Sequence, residues 1–234
     1  MKAIILAAGK GKRMGELTRH LPKPLLEINN RPFLLYNIKN LISCGYTEIG
    51  IVVSYKKEKI EQFLTENNLK ATLIDQEEPK GTGYAVKCAK NFCKKSEFLV
   101  VNGDNYYPKE TLNKMKDFPG YTLIAGTTSA HPEKYGVLIE EDGFLKRIIE
   151  KPAVPPSNLV NIGLYRFTSE VFKALDKITL SERGEYELTD ALTLLAAQKK
   201  VRVILTEETW FDLGSPEDIK KVEAFFTQNK ISAN

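Results

Sequence analysis

The segment Gly9-Lys10-Gly11-Lys12-Arg13-Met14-Gly15 sets closely spaced glycines among three cations, directly after the apolar run Ala3-Ile4-Ile5-Leu6-Ala7-Ala8. Backbone amides exposed by glycine at the carboxyl edge of a buried strand are suited to cradling phosphate, and the adjacent cations reinforce this. The segment is neither of two common phosphate loops. Met14 stands where a dinucleotide fingerprint needs its third glycine, and no Gly-Lys-Ser/Thr follows at Walker spacing. Lys23-Pro24 lies ten residues beyond Arg13, so two cations bracket a loop able to close over a triphosphate. Two carboxylates complete the chemistry. Asp104 follows Phe98-Leu99-Val100-Val101-Asn102-Gly103, and Asp212 follows Trp210-Phe211 and precedes Leu213-Gly214. Each closes an apolar, strand-like stretch, the place where an α/β sheet keeps its ligands. With substrate phosphates, two such groups make a Mg²⁺ site. Neither needs a shifted pKa, since a carboxylate near about 4 is ionised at neutral pH. Each motif alone also reads as an ordinary solvated turn, and their combination carries the argument.

Gln76 ends an apolar strand, and Gly81-Thr82-Gly83 opens a helix. The series Leu6-Ala7-Ala8-Gly9-x-Gly11-x-Arg13-Met14, Pro22-Lys23-Pro24-Leu25, Gln76 with Gly81-Thr82-Gly83, Asn102-Gly103-Asp104, Tyr135-Gly136-Val137, Glu150-Lys151-Pro152, Asn161-x-Gly163 and Trp210-Phe211-Asp212-Leu213-Gly214 runs through the chain. In types and order it resembles the sugar-1-phosphate nucleotidyltransferases over about residues 2–226. The resemblance implies joining a sugar 1-phosphate to a nucleoside triphosphate with Mg²⁺ and release of pyrophosphate. It assigns Arg13, Lys23 and Asp104 to catalysis, and Leu6, Ala8, Gly9, Gly11, Arg13, Gln76, Gly81 and Thr82 to the nucleotide. Gly136, Glu150, Lys151 and Asn161 fall to the sugar phosphate, and Asp104 and Asp212 to the metal. A glutamine reading a base edge favours uridine or thymidine triphosphate. The segment Gly184-Glu185-Tyr186-Glu187-Leu188-Thr189-Asp190-Ala191 resembles that of glucose-type and N-acetylglucosamine-type members. Lys12 departs from the usual Thr or Ser, and Asn30-Arg31-Pro32 from the usual Gly-Lys-Pro.

Three rival readings are open. A phosphocholine-type cytidylyltransferase would need an aromatic cage, for which Tyr84, Tyr106 and Tyr107 are the candidates. A guanylyltransferase for mannose-like or heptose phosphates is nearer, and nucleotide competition separates it. A silent regulatory subunit is disfavoured by Arg13, Lys23, Asp104 and Asp212 being retained together.

The elements that must position these residues alternate. Strand-like runs Ala3–Ala8, Glu48–Val53, Ala71–Ile74 and Phe98–Asn102 interleave with helical patterns Phe33–Cys44, Glu58–Asn67 and Thr82–Cys93. That is the signature of βαβ units. Leu34, Leu35, Ile38, Leu41 and Ile42 form one stripe, and Gly45 is the stop. Thr122–Gly126, Tyr135–Glu140, the turn Asp142-Gly143, Phe144–Glu150 and Val160–Phe167 predict an antiparallel portion. Glu187–Lys199, Val201–Leu205 and a helix capped by Ser215-Pro216-Glu217-Asp218 and running to about Gln228 follow. The expectation is a Rossmann-like three-layer α/β/α domain over 1–230, its central sheet mixed and mainly parallel. A nucleotide half spans 1–108, and an antiparallel sugar-binding half 109–230.

Composition is consistent with this. The chain has 234 residues, 42% hydrophobic and 27% charged, with a net charge of +4, too small for a nucleic-acid footprint. No run is long enough for a signal peptide or membrane span, and three cysteines give no disulfide framework. A cytoplasmic protein without nucleic-acid or membrane partners is expected, with room for a homo-oligomer. Cys44, Cys88 and Cys93 read as small core residues, and His20 and His131 as loop surface.

Overall fold

The structure, a computed structural model, describes residues 1–232. The first half holds β1 (Lys2–Leu6), β2 (Glu27–Ile28), β3 (Arg31–Pro32), α1 (Phe33–Ser43), β4 (Glu48–Val53), α2 (Lys57–Glu66), β5 (Thr72–Asp75), α3 (Thr82–Cys88), α4 (Lys90–Cys93), β6 (Phe98–Asn102) and β7 (Asn105–Tyr106). The second holds α5 (Lys109–Lys114), β8 (Thr122–Thr128), β9 (Gly136–Glu141), β10 (Phe144–Glu150), β11 (Leu159–Phe167), α6 (Glu170–Leu175), α7 (Leu188–Ala196), β12 (Val201–Leu205), β13 (Phe211–Asp212) and α8 (Pro216–Gln228). Nine strands form one sheet in the order β5-β4-β1-β6-β11-β8-β12-β10-β9. Strands β5, β4, β1 and β6 run parallel, β11 lies antiparallel between β6 and β8, and β12 runs parallel to β8. The fold is thus the mixed Rossmann-like α/β/α arrangement expected.

Period-two alternation explains the layers. Ala3, Ile5, Leu99 and Val101 join a core with α1, α2, α5 and α8, whereas Ile4, Val52, Phe98 and Val100 join a core with α3, α6 and α7. Chain order reverses beside β1: β4 and β5 build outward on one side and β6 lies on the other. Such a switch point leaves a crevice at the carboxyl ends of its strands.

The elements differ from expectation at several places. Strand β1 ends at Leu6, and Ala7 and Ala8 continue as buried irregular chain, Ala7 N–H donating to Val52 O at 2.8 Å. The helix expected over Thr82–Cys93 breaks at Ala89 into α3 and α4, and Glu187–Lys199 shortens to α7. Ile42 is exposed, while Asn37 and Asn40 are buried on α1 because their amides bond Gly103 O and Tyr107 O. Cys88 is half-buried, unlike the buried Cys44 and Cys93. The hairpin turn and the last helix match: Asp142 and Gly143 both have positive φ, and Asp218 accepts from Ser215 N–H at 2.8 Å.

Candidate nucleotide and acceptor site

A cleft of about 600 Å³ opens at the carboxyl ends of β1 and β6. Leu6, Ala8, Gly9, Gly11, Arg13, Lys23, Gln76, Gly81, Thr82 and Asp104 all line it, so residues 98 positions apart in sequence (6 to 104) meet in one crevice. Gly11 enables the turn after β1: its φ is +63°, and a Cβ there would stand 2.9 Å from Thr18 Cγ2 and 3.2 Å from Lys23 Cβ. Close packing of Gly11 on Lys23 draws the two cationic segments together. Lys10, Lys12 and Arg13 are exposed and form no ion pair among the described residues. Their charge is available to an anion. At the other end Gln76 is only 2% exposed, and its Nε2 donates to Gly81 O at 3.2 Å. The Thr82 hydroxyl is engaged structurally, accepting from Leu188 N–H at 3.2 Å at the start of α7.

The carboxylates come together through a small ladder. Asn105 of β7 pairs with Asp212 of β13, and Leu213 N–H donates to Asp104 O at 2.9 Å. Lys23, 6% exposed, places its Nζ 2.7 Å from Asp104 Oδ2. Burial, and then the neighbouring Asp104 charge, push the Asp212 carboxyl up to about 6, against the lowering influence of Lys23 and Arg13. The expectation of an unshifted pair is therefore corrected: desolvation at Asp212, invisible in sequence, raises one member. Arg13 flanks the dyad, since a Cβ on Gly214 would stand 3.6 Å from Arg13 Nη1 and 3.5 Å from Asp212 Oδ2.

The sugar-phosphate candidates form a second group outside the cleft lining. Glu150 pairs with Gly136 across the β9–β10 ladder, and a Cβ on Gly136 would stand 3.1 Å from Glu150 Oε2 and 3.7 Å from Asn161 Cβ. Asn161 is internally braced, donating to Tyr165 OH at 2.8 Å and accepting from Gly163 N–H at 2.9 Å. Lys151 follows β10 with its side chain exposed, Nζ 3.8 Å from Glu150 Oε1. Two links join the groups. The Tyr135 ring meets Trp210 edge-on at 5.6 Å, and burial, Asp212 and Asp218 raise the Tyr135 hydroxyl pKa.

A family profile described as nucleotidyl transferase matches residues 2–229. The chain belongs to the nucleotidyl transferase family. It is 39% identical over 99% of its length to a bifunctional sugar-1-phosphate nucleotidylyltransferase/acetyltransferase of Sulfurisphaera tokodaii, of which it covers 57%. It is 37% identical over 96% of its length to the bifunctional protein GlmU of Methanocaldococcus jannaschii, of which it covers 54%. The chain thus spans little more than half the length of these relatives. A UDP-glucose pyrophosphorylase crystallised with UDP-glucose superposes with a TM-score of 0.86 at 24% identity, covering 97% of this chain and 98% of that one. That likeness concerns the fold.

The cleft also holds residues that sequence reasoning did not assign. Asn102, Pro79, Ala85 and Glu185 line the cleft. Asn102 belongs to the Asn102-Gly103-Asp104 run, but nothing in sequence brings Glu185 over Gly81; the Tyr186 N–H to Lys80 O and Gly83 N–H to Tyr186 O bonds, both 2.8 Å, do so. The aromatic cage does not assemble. Tyr106 and Tyr107 are 5% and 3% exposed, and Tyr84 packs 6.2 Å from Tyr186 outside the cleft.

Proposed function

We propose that the chain transfers a nucleotidyl group: the phosphate of a sugar 1-phosphate attacks the α-phosphorus of a nucleoside triphosphate, and pyrophosphate leaves. The observation that carries this is the junction at Asp104. A cleft with three unpaired cations meets a carboxylate dyad there, beside a separate group of hydrogen-bonding residues. Such transfer needs positioning and charge stabilisation more than a covalent nucleophile. Arg13 and Lys23 hold the triphosphate and neutralise charge building on the α-phosphorus and the leaving pyrophosphate. Residues 1–108 supply most of the nucleotide contacts and 109–230 most of the acceptor contacts, within one domain.

The donor set fits Mg²⁺. Burial and the neighbouring Asp104 charge raise the Asp212 carboxyl, a repulsion that a cation between the two oxygen donors would relieve. No cluster of three or more His, Cys, Asp or Glu able to hold a metal is present among the described residues, so substrate phosphates supply the remaining oxygens. Bound there, Mg²⁺ would neutralise the phosphates and align them.

Uridine or thymidine triphosphate suits Gln76. Its Nε2 is committed to Gly81 O, which leaves Oε1 to accept from a pyrimidine imide N–H. Glucose or N-acetylglucosamine 1-phosphate suits the acceptor group, with Glu150 and Asn161 toward ring hydroxyls, Lys151 toward phosphate and Gly136 making room. The names of the relatives at 39% and 37% identity support a sugar-1-phosphate acceptor. No helix of the described residues is long and apolar enough to cross a membrane. Pyrophosphate release across a grid of nucleoside triphosphates and sugar 1-phosphates, with magnesium, tests the reading. Release confined to uridine or thymidine triphosphate with a gluco-configured acceptor is expected; release in no combination refutes it.

A further inference from the structure

Asn102, the last residue of β6, lines the cleft beside Asp104. Its backbone is fixed opposite Leu6 of β1, and its side-chain amide makes no hydrogen bond within the described residues. Asn102 is half-buried, so its amide is reachable from the cleft and open to a ligand's acceptor atoms.

Across from it β11 bulges. The register with β8 breaks between Asn161 and Tyr165, and Gly163 adopts φ +73°, a conformation that side chains disfavour. Tyr107 OH lies 3.0 and 2.8 Å from Ile162 O and Gly163 O and fixes the bulge from below. A Cβ on Gly163 would stand 2.2 Å from Asn102 Nδ2 and 3.0 Å from its Cγ. The amide of Asn102 therefore occupies the space a side chain at Gly163 would fill. Asn161, two residues earlier, already spends one acceptor and one donor internally. Asn102 keeps its full capacity, at the seam where the nucleotide cleft and the acceptor group meet.

We propose that Asn102 is an acceptor-binding residue, donating its side-chain amide to a phosphate oxygen of the sugar 1-phosphate, and that Gly163 is the position that admits it. This rests on the nucleotidyl-transfer reading. A neutral donor suits the place: beside Asp104 and Asp212 a third carboxylate would repel the incoming phosphate, whereas an amide adds attraction without charge.

The test is steady-state kinetics of wild type, Asn102→Ala, Asn102→Asp, Gly163→Ala and the Asn102→Ala/Gly163→Ala double variant. The substrates are uridine triphosphate with glucose 1-phosphate and with N-acetylglucosamine 1-phosphate, and thermal unfolding reports folding in parallel. Asn102→Ala should lower kcat/KM for the acceptor about ten- to a hundredfold, the range of a hydrogen bond to a charged group, with KM for the triphosphate unchanged. Asn102→Asp should lose more than Asn102→Ala. Gly163→Ala should reproduce the acceptor defect by displacing the amide, and the double variant should lose no more than the worse single one. Wild type active with Asn102→Ala unaltered, a defect in triphosphate KM instead, Asn102→Asp better than Asn102→Ala, or fully multiplying losses would each overturn the proposal. Wild type inactive with both acceptors while releasing pyrophosphate with none would overturn the functional reading itself, and this proposal with it.

Discussion

Lys23→Met keeps the length and the apolar stem of the side chain and deletes one charge. In the native protein that charge lies 2.7 Å from Asp104 Oδ2, with Lys23 only 8% and Asp104 31% exposed as side chains. A charge-assisted hydrogen bond in such a place contributes about 1.5–3 kcal/mol. Removing the cation also leaves Asp104 facing Asp212, which already carries the repulsion. For a chain of this size about 2–3 kcal/mol lowers the thermal midpoint by roughly 4–12 °C. The measurement is thermal unfolding in chelator, so that no divalent cation substitutes for the lysine. Asp104→Asn in the Lys23→Met background should recover much of the loss, because the orphaned charge is then gone. Turnover with magnesium should fall on the order of a hundredfold or more in Lys23→Met even where the fold is intact. Equal stability of Lys23→Met and wild type, or strictly additive losses in the double variant, would refute the reasoning.

Gln76→Ala should erode discrimination between pyrimidine and purine triphosphates, read as the ratio of their kcat/KM values, because a site built on hydrogen bonds loses most when one partner is gone. Lys12→Thr should weaken triphosphate binding and flatten its dependence on salt, since one exposed, unpaired cation leaves the phosphate loop; an unchanged salt slope would contradict this. Glu208 is held down at about 2 by hydrogen bonds from Thr206 and, after the opposing cost of burial, from Lys114. A depressed acid stabilises above its ordinary value of 4.5 and loses that contribution as pH falls toward about 2. The gap in thermal midpoint between wild type and Glu208→Gln should therefore close over that window, and a gap constant with pH would count against it.

Much of the cleft is readable from sequence because its residues sit at strand ends and glycine turns, whose signals are local. The run before Gly9, the run before Asn102-Gly103-Asp104 and the cap at Ser215-Pro216 each announce where an element stops. Placement of Asp212 beside Asp104 depends instead on two-residue strands, β7 and β13, too short to show a period. The break at Ala89, the short helices α5 and α6 and the exposure of Ile42 reflect tertiary packing rather than propensity. Desolvation of Asp212 and the lodging of Asn102 over Gly163 are properties of contacts between distant segments, which spacing along the chain does not encode.

The central claim is that Asp104 and Asp212, 108 positions apart in sequence, serve one catalytic Mg²⁺. A magnesium titration of turnover in Asp104→Asn, Asp212→Asn and the double variant tests it, because Asn keeps the shape and removes the charge. Both single variants should fold, lose most turnover and need more magnesium for what remains, and the double variant should lose little beyond the worse single one. Losses that multiply fully, with the magnesium dependence unchanged, would contradict the account.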